Sequence, residues 1–165
     1  MSERDYKSLA ERAQKVLSGL NLLSPYESAA FHDAMREQSA LRSFFTTLLL
    51  VLDADPLTAG IFDEYVNAVS ALPAARSRVA TWPVATLFPY LAAPSRYMFL
   101  KPEVTKIAAD SLGFDLKYDP LPNWNTYEAL QRMGAIYLGL LRPFGARDFV
   151  DVQSFIWVTC GGYDS

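Results

Sequence analysis

Residues Arg147–Thr159 read RDFVDVQSFIWVT, and the fold turns on how this stretch is read. Seven of its residues are apolar: Phe149, Val150, Val152, Phe155, Ile156, Trp157 and Val158. At 3.6 residues per turn they point almost all the way round a helix. Such an element belongs in the middle of a domain, where Trp157, its largest apolar group, is expected to be buried. Two backbones compete for it. Phe-Ile-Trp-Val-Thr is rich in strand formers, and Asp151-Val152-Gln153 alternates as a strand does. Against that, Asp148 suits an N-cap, and Asp151 then stands at the third helical position, near the positive end of the dipole. A central strand needs partner strands, and the rest of the chain offers few. The stretch reads as a helix, with a buried strand as the alternative.

Working outward, the helical pattern recurs. Residues 3–20 place Tyr6, Leu9, Ala13, Val16, Leu17 and Leu20 at three- and four-residue steps, opposite charged residues. Ser24-Pro25-Tyr26-Glu27 has the form of a capping box and predicts a helix to about Gln38. A further run over Ser39–Leu52 carries Leu41, Phe44, Phe45, Leu48, Leu49 and Leu52. Asp55 as cap and Pro56 in the first turn predict the next helix, with Leu57, Ile61, Phe62, Tyr65, Val66 and Val69 inward. After Pro73 comes a short basic connection with Arg76 and Arg78. The apolar segment Val84–Leu91 contains Pro89, which predicts a kink or two short pieces. Arg96–Pro102 is expected to be extended, because Lys101 precedes a proline. Pro102–Leu112 reads as a helix ending at Gly113, with Val104, Ile107, Ala108 and Leu112 inward. Asn125-Thr126-Tyr127-Glu128 then reads as a second capping box. It opens a helix to about Arg142 whose apolar face includes Ile136, Tyr137, Leu140 and Leu141. Together these elements predict a mainly α protein. It should be one globular multi-helix domain of about six to eight helices with at most a small strand element. Residues 1–80 form an N-terminal helical part, 81–159 a C-terminal module and 160–165 a flexible tail.

Composition narrows the function classes. The chain has 165 residues, 51% hydrophobic and 20% charged, which suits a folded globule with a sizeable core. A net charge of −3 argues against a general nucleic-acid binder, though a local basic patch remains open. Cys160 is the one cysteine, so no internal disulfide forms. The start is charged and amphipathic, and Phe44–Leu52 is too short to span a bilayer. A cytoplasmic protein without membrane contact is expected.

Chemistry-bearing residues are sparse. The one histidine, His32, lies in a helical run without an elbow or oxyanion motif, so nucleophilic catalysis has little support. No Gly-rich phosphate loop and no His/Cys metal set is present, and no cofactor is expected. Asp53, Asp55, Asp63 and Glu64 are close in sequence, but capping and a solvated face explain them without a metal. Asp148 and Asp151 share a helix face and could form a paired-carboxylate site, yet helix-start electrostatics explains both more cheaply. Gln153 and Ser154 are expected to satisfy backbone or loop groups. Arg96, Lys101, Lys106 and Lys117 mix with Tyr97, Phe99, Tyr118 and Trp124. That could make a stacking and phosphate-binding surface, or an aromatic core with snorkelling lysines, and the second is the simpler account.

Three motifs add a resemblance. FLKP at Phe99–Pro102, NWNTY at Asn123–Tyr127 and DFVDVQSFIWV at Asp148–Val158 resemble a module of uncharacterised bacterial proteins. Some of those are similar to components of restriction or anti-phage loci. The resemblance covers roughly Trp82–Thr159. It implies no defined activity, and it brings a nucleic-acid context into view. The leading expectation is a non-catalytic protein-interaction or accessory module, in a bacterial defence or mobile-element setting, with another protein as partner. The alternative is a nucleic-acid-binding domain using Arg96–Trp124, and a weaker one an enzyme using Asp148 and Asp151. The binding candidates are Arg96, Lys101, Lys117, Trp124, Tyr127, Asp148, Asp151 and Gln153, with no catalytic or metal residue assigned.

Overall fold

The computed structural model describes residues 3–73 and 78–161. These hold eight α-helices, one 3-10 turn and no strand, as the mainly α expectation requires. The helices are α1 (Glu3–Ser18), α2 (Pro25–Ala34), α3 (Gln38–Asp53), α4 (Ala59–Ser70), α5 (Trp82–Ala92), α6 (Pro102–Ser111), α7 (Trp124–Leu141) and α8 (Phe149–Thr159), with the 3-10 turn at Arg142–Phe144. Arg76 in the expected basic connection, and residues 162–165 of the expected tail, lie outside the described residues. Contacts gather into two compact units, Met1–Ala85 and Thr86–Ser165.

In the first unit α1 packs chiefly on α3, and α3 on α4. The Ser24 capping box forms as read: Glu27 N donates to Ser24 Oγ at 3.2 Å, and Ser24 N to Glu27 Oε2 at 2.9 Å. The other Glu27 oxygen accepts from Thr81 Oγ1 at 2.9 Å, so one carboxylate caps α2 and ties down a distant loop. Phe44 centres an aromatic core, 5.7 Å from Phe31, 5.1 Å from Phe45 and 5.9 Å from Tyr65. The first two contacts are edge-on, the arrangement ring quadrupoles favour.

Several boundaries differ from the sequence reading. Helix α2 stops at Ala34, and Gln38 already opens α3. Asp55 does not cap α4. That helix starts at Ala59 after an extended Thr58, and its first backbone bond runs from Phe62 N to Thr58 O at 3.0 Å. Pro56 and Leu57 therefore precede the helix. Val16 and Leu20, read as inward, are exposed: Val16 lies on the uncovered flank of α1, and Leu20 follows the helix, which ends at Ser18. Helix α5 is continuous through Pro89. An internal proline costs about 3 kcal/mol. Burial of Val84, Leu87, Phe88 and Tyr90 offsets that, at about 1.5–3 kcal/mol per large apolar side chain.

In the second unit α8 packs on α7 and α6. Tyr97–Leu100 is buried and belongs to neither helix nor strand, and Lys101 after it is extended ahead of Pro102. Tyr97 N donates to Ala93 O at 3.0 Å, and side chains take three of the amides that follow, as buried peptide groups require. Met98 N donates to Gln131 Oε1 at 2.7 Å, Leu100 N to Thr86 Oγ1 at 3.0 Å and Lys101 N to Thr105 Oγ1 at 3.2 Å. Gly113, at φ +60°, closes α6: Phe114 N reaches Ala109 O at 2.9 Å and Gly113 N reaches Asp110 O at 3.0 Å. The α7 cap is Asn123, two residues before the Asn125 expected, and its Oδ1 accepts from Thr126 N at 3.0 Å.

The organising stretch is a helix, which settles the helix-or-strand alternative. Asp148 is its N-cap, accepting from Val150 N at 2.9 Å. Trp157, however, is only partly buried. Phe149, Val152, Gln153 and Ile156 form the inner stripe, and Cys160, expected in the tail, is buried at the C-cap. One stripe suffices because successive residues turn by about 100°, which carries Trp157 away from Ile156 onto the flank. The largest fully buried side chain is instead Trp82, 1% exposed.

Candidate functional site

Three surfaces of the second unit bear on function. The first is a groove of about 350 Å³ lined by Lys106, Ala109, Asp110 and residues 114–118. Lys106 Nζ lies 5.2 Å from the Tyr118 ring centre and 2.9 Å from Glu103 Oε1. The hydrogen bond from Lys106 to Glu103 raises the lysine pKa; desolvation opposes it, and the charges of Glu103, Tyr118 and Asp110 add to the rise. Lys117 takes φ +49°, a left-handed conformation that costs a non-glycine residue about 1–2 kcal/mol. Two contacts hold it there. Its N–H donates to Asp115 Oδ1 at 2.9 Å, and its carbonyl accepts from Thr126 Oγ1 at 2.6 Å.

The structure thus brings Lys106, Lys117 and Tyr118 together, but not the whole set that the sequence suggested. Tyr97 and Phe99 are buried and offer no stacking face. Arg96 lies over its neighbour Tyr97, 5.0 Å from the ring centre. Lys101 is half-buried ahead of α6. Trp124 packs against the buried Tyr127, with ring centres 6.4 Å apart. Asp110 and Asp115 stand in the same groove as the two lysines and offset their charge.

The second surface is the start of α8. Asp151 Oδ2 accepts from Arg147 N at 2.8 Å and from Arg147 Nε at 3.3 Å. The Arg147 backbone N–H, then its guanidinium, holds the Asp151 carboxyl below its ordinary range. Tyr90 is buried, which pushes its hydroxyl up to about 12, and Asp148 and Asp151 add to that rise. Both carboxylates are engaged in starting the helix. Gln153 is 6% exposed, and its Oε1 meets no donor among the described residues. It was expected to satisfy a neighbouring group. Ser154 does so, donating to Val150 O at 2.8 Å.

The third surface is apolar. Ile136 and Leu140 on α7, Phe144 in the 3-10 turn, and Val150, Phe155 and Val158 on α8 are all exposed. Phe155 lies 6.0 Å from the Tyr137 ring, which joins the outer flanks of α7 and α8. Phe144 is 87% exposed and Val158 61%, far beyond what an inward-facing role allows. Sequence periodicity missed this surface, because it placed Ile136 and Leu140 on the apolar face of α7 and the whole of α8 in the middle of the domain. The excess of apolar residues over one buried stripe was the available signal. Ile107, also read as inward, is exposed on α6.

No protein-family model, curated protein or solved structure matches the chain. The resemblance to the bacterial module therefore rests on its three motifs alone. No helix among the described residues is long and apolar enough to cross a membrane.

Proposed function

We propose that the chain is a non-catalytic interaction module that docks another protein through the outer face of α7, the 3-10 turn and α8. The exposed apolar series Ile136, Leu140, Phe144, Phe155 and Val158 carries this reading. Apolar side chains clustered on adjoining elements mark interaction surfaces, whereas scattered ones need no explanation. The carboxylates at the start of α8 fit the same reading, since they serve the helix that presents the surface. A setting in bacterial defence or mobile elements follows from the motif resemblance, and a cytoplasmic location from the composition. Phe144→Glu and Val158→Glu place charge on the face without emptying the core. Each is expected to abolish retention of a partner captured from host extract and re-bound in purified form. Variants that keep the same partner at the same affinity refute the reading.

Nucleic-acid binding is the second reading, drawn from the groove that gathers Lys106, Lys117 and Tyr118. It ranks lower because Asp110 and Asp115 share that groove. Lys117→Ala and Lys106→Ala should weaken such binding and flatten its salt dependence, and an electrophoretic shift across a salt series measures both.

A further inference from the structure

Resting on the docking role proposed above, we infer that the occupant of this face is an acidic amphipathic helix of a partner protein. It would lie on the exposed rows of α7 and α8, with its carboxylates on Arg142 and Arg147. Two independent observations carry this: the spacing of the apolar groups and the way the charges are presented. Along α7 and the 3-10 turn that continues it, exposed Ile136, Leu140 and Phe144 follow one another at four-residue steps. Along α8, exposed Val150 and Val158 stand two such steps apart, with exposed Ser154 between them. The Ser154 hydroxyl donates back to Val150 O at 2.8 Å, so the middle of that row is short and its polar group already satisfied. Rows at four-residue spacing are the ridges that helices fit into one another's grooves. The α8 row alone runs roughly 12 Å, room for about two turns of a partner helix.

The charges on this face are sorted by sign. From Met133 to Gly161 the chain has no lysine and no glutamate, and its charged residues there are Arg142, Arg147, Asp148 and Asp151. Both carboxylates turn to the backbone at the start of α8, Asp148 onto Val150 N and Asp151 onto Arg147 N. The arginines are presented to solvent. Arg142 is exposed and meets no carboxylate among the described residues. Arg147 is 83% exposed and engages Asp151 through its side chain only by Nε, at 3.3 Å, which leaves its two terminal nitrogens for a partner. Protein interfaces are enriched in arginine and aromatic residues and depleted in lysine and glutamate, as this face is. A guanidinium takes a carboxylate bidentately, a geometry that a Glu or Asp flanking the apolar stripe of a helix can meet.

Other occupants fit less well. A basic helix would set cation against cation at Arg142. A neutral one would desolvate that arginine and give it no counter-charge, which costs affinity. An anionic membrane also takes apolar groups beside arginines, but holding a protein there by charge calls for a cluster of basic residues. This face has two outward cations, on a chain of net charge −3. A carboxylate held by bidentate hydrogen bonds needs only one arginine.

The probe is a fluorescein-labelled helical peptide with leucine and phenylalanine along one stripe and glutamate on both flanks. A second peptide carries lysine for each glutamate, and a third keeps the glutamates but has serine for the apolar residues. In fluorescence anisotropy with the full chain, the glutamate peptide should bind at least about tenfold more tightly than the lysine peptide, and the serine peptide not at all. Arg142→Glu should remove most of that preference, and Arg142→Glu combined with Arg147→Glu should reverse it. Far-ultraviolet circular dichroism verifies that both variants are folded. The inference is overturned if no peptide binds, if the glutamate and lysine peptides bind alike, or if the arginine changes leave the preference as it was. It is overturned too if the chain sediments with phosphatidylserine vesicles and Phe144→Glu releases it, since the face then serves a membrane. Loss of a captured partner in Phe144→Glu, beside equal binding of the glutamate and lysine peptides, would leave the docking role standing and remove only the acidic helix.

Discussion

Gly134→Ala and Gly139→Ala make the same chemical change on one helix and should move stability in opposite directions. Helix propensity favours alanine at both sites by about 0.5–1 kcal/mol. At Gly139 the new methyl meets nothing within 4 Å, so that gain should be realised in full. At Gly134 it would lie 3.2 Å from Phe149 Cε1, 3.3 Å from Met98 Sδ and 3.4 Å from Met98 Cγ. Carbon contacts prefer about 3.5–4.0 Å, so all three are too short. Neither neighbour retreats easily. Met98 is fully buried, and its N–H is held by Gln131 at 2.7 Å. Phe149 opens α8, with its N–H on Pro94 O at 3.0 Å. Overpacking of this kind costs about 1–3 kcal/mol, which outweighs the propensity gain. Gly134→Ala should therefore lose about 1–2 kcal/mol while Gly139→Ala gains about 0.5–1. Denaturant titration at one dilute concentration, followed by tryptophan fluorescence and circular dichroism, measures both as midpoint shifts at constant slope. Comparing the two cancels intrinsic propensity. Equal stability of the two variants would refute the close-approach argument.

Trp82→Ala should cost about 3–5 kcal/mol, the usual loss on emptying a large buried aromatic site, and Trp157→Ala clearly less, because Trp157 lies on a flank. Parallel denaturation decides it, and a larger loss for Trp157 would reverse the assignment of the core. Tyr65 is 0% exposed and its hydroxyl has no partner among the described residues, so Tyr65→Phe should stabilise by about 1 kcal/mol; a loss of that size would reveal a partner for the hydroxyl. Tyr90 has a folded pKa raised to about 12 from 10.0, so its neutral form is favoured by folding. The stability this supplies is complete below pH 10.0 and is lost as pH rises towards about 12. The phenolate absorbance difference between parent and Tyr90→Phe should titrate near the upper value, and a midpoint at the ordinary tyrosine value would remove the argument.

The legible parts of the fold were those with local chemical causes. Ser24 and Glu27 specify a helix start within four residues, and Asp148 does the same for α8. Gly113 ends α6 because its left-handed backbone suits glycine. Hydrophobic periodicity was less decisive where apolar residues outnumber the positions that neighbours can cover. Trp157, Ile136, Leu140 and Ile107 look inward in sequence, yet only packing decides which apolar flank is covered. Capping by Asn123 rather than Asn125 was hidden for another reason. Thr126 Oγ1 donates to Lys117 O and accepts from Asp119 N, and those contacts fix where α7 begins. Of the candidate site, Lys117 was legible as a cation near aromatics, and Tyr118 as one of them. Their meeting with Asp110 and Asp115 depends on the turn after α6, which no spacing rule supplies.

Side-chain bonding of Met98–Lys101 has a consequence for how this protein can vary in length. A strand in a sheet has identical rungs, so an inserted residue can slide the chain by one step or bulge out while pairing resumes beyond it. Here Thr86, Gln131 and Thr105 are three separate pegs, fixed on α5, α7 and α6, and each holds one particular amide. Adding or deleting one residue would leave every later amide facing the wrong peg, and no equivalent rung lies within reach. The segment should tolerate changes of side-chain type more readily than any change in spacing, whereas the exposed turn after α7 has no such constraint. Tolerance to insertion, mapped along the second unit, should fall to a minimum at these few residues even though they belong to neither helix nor sheet.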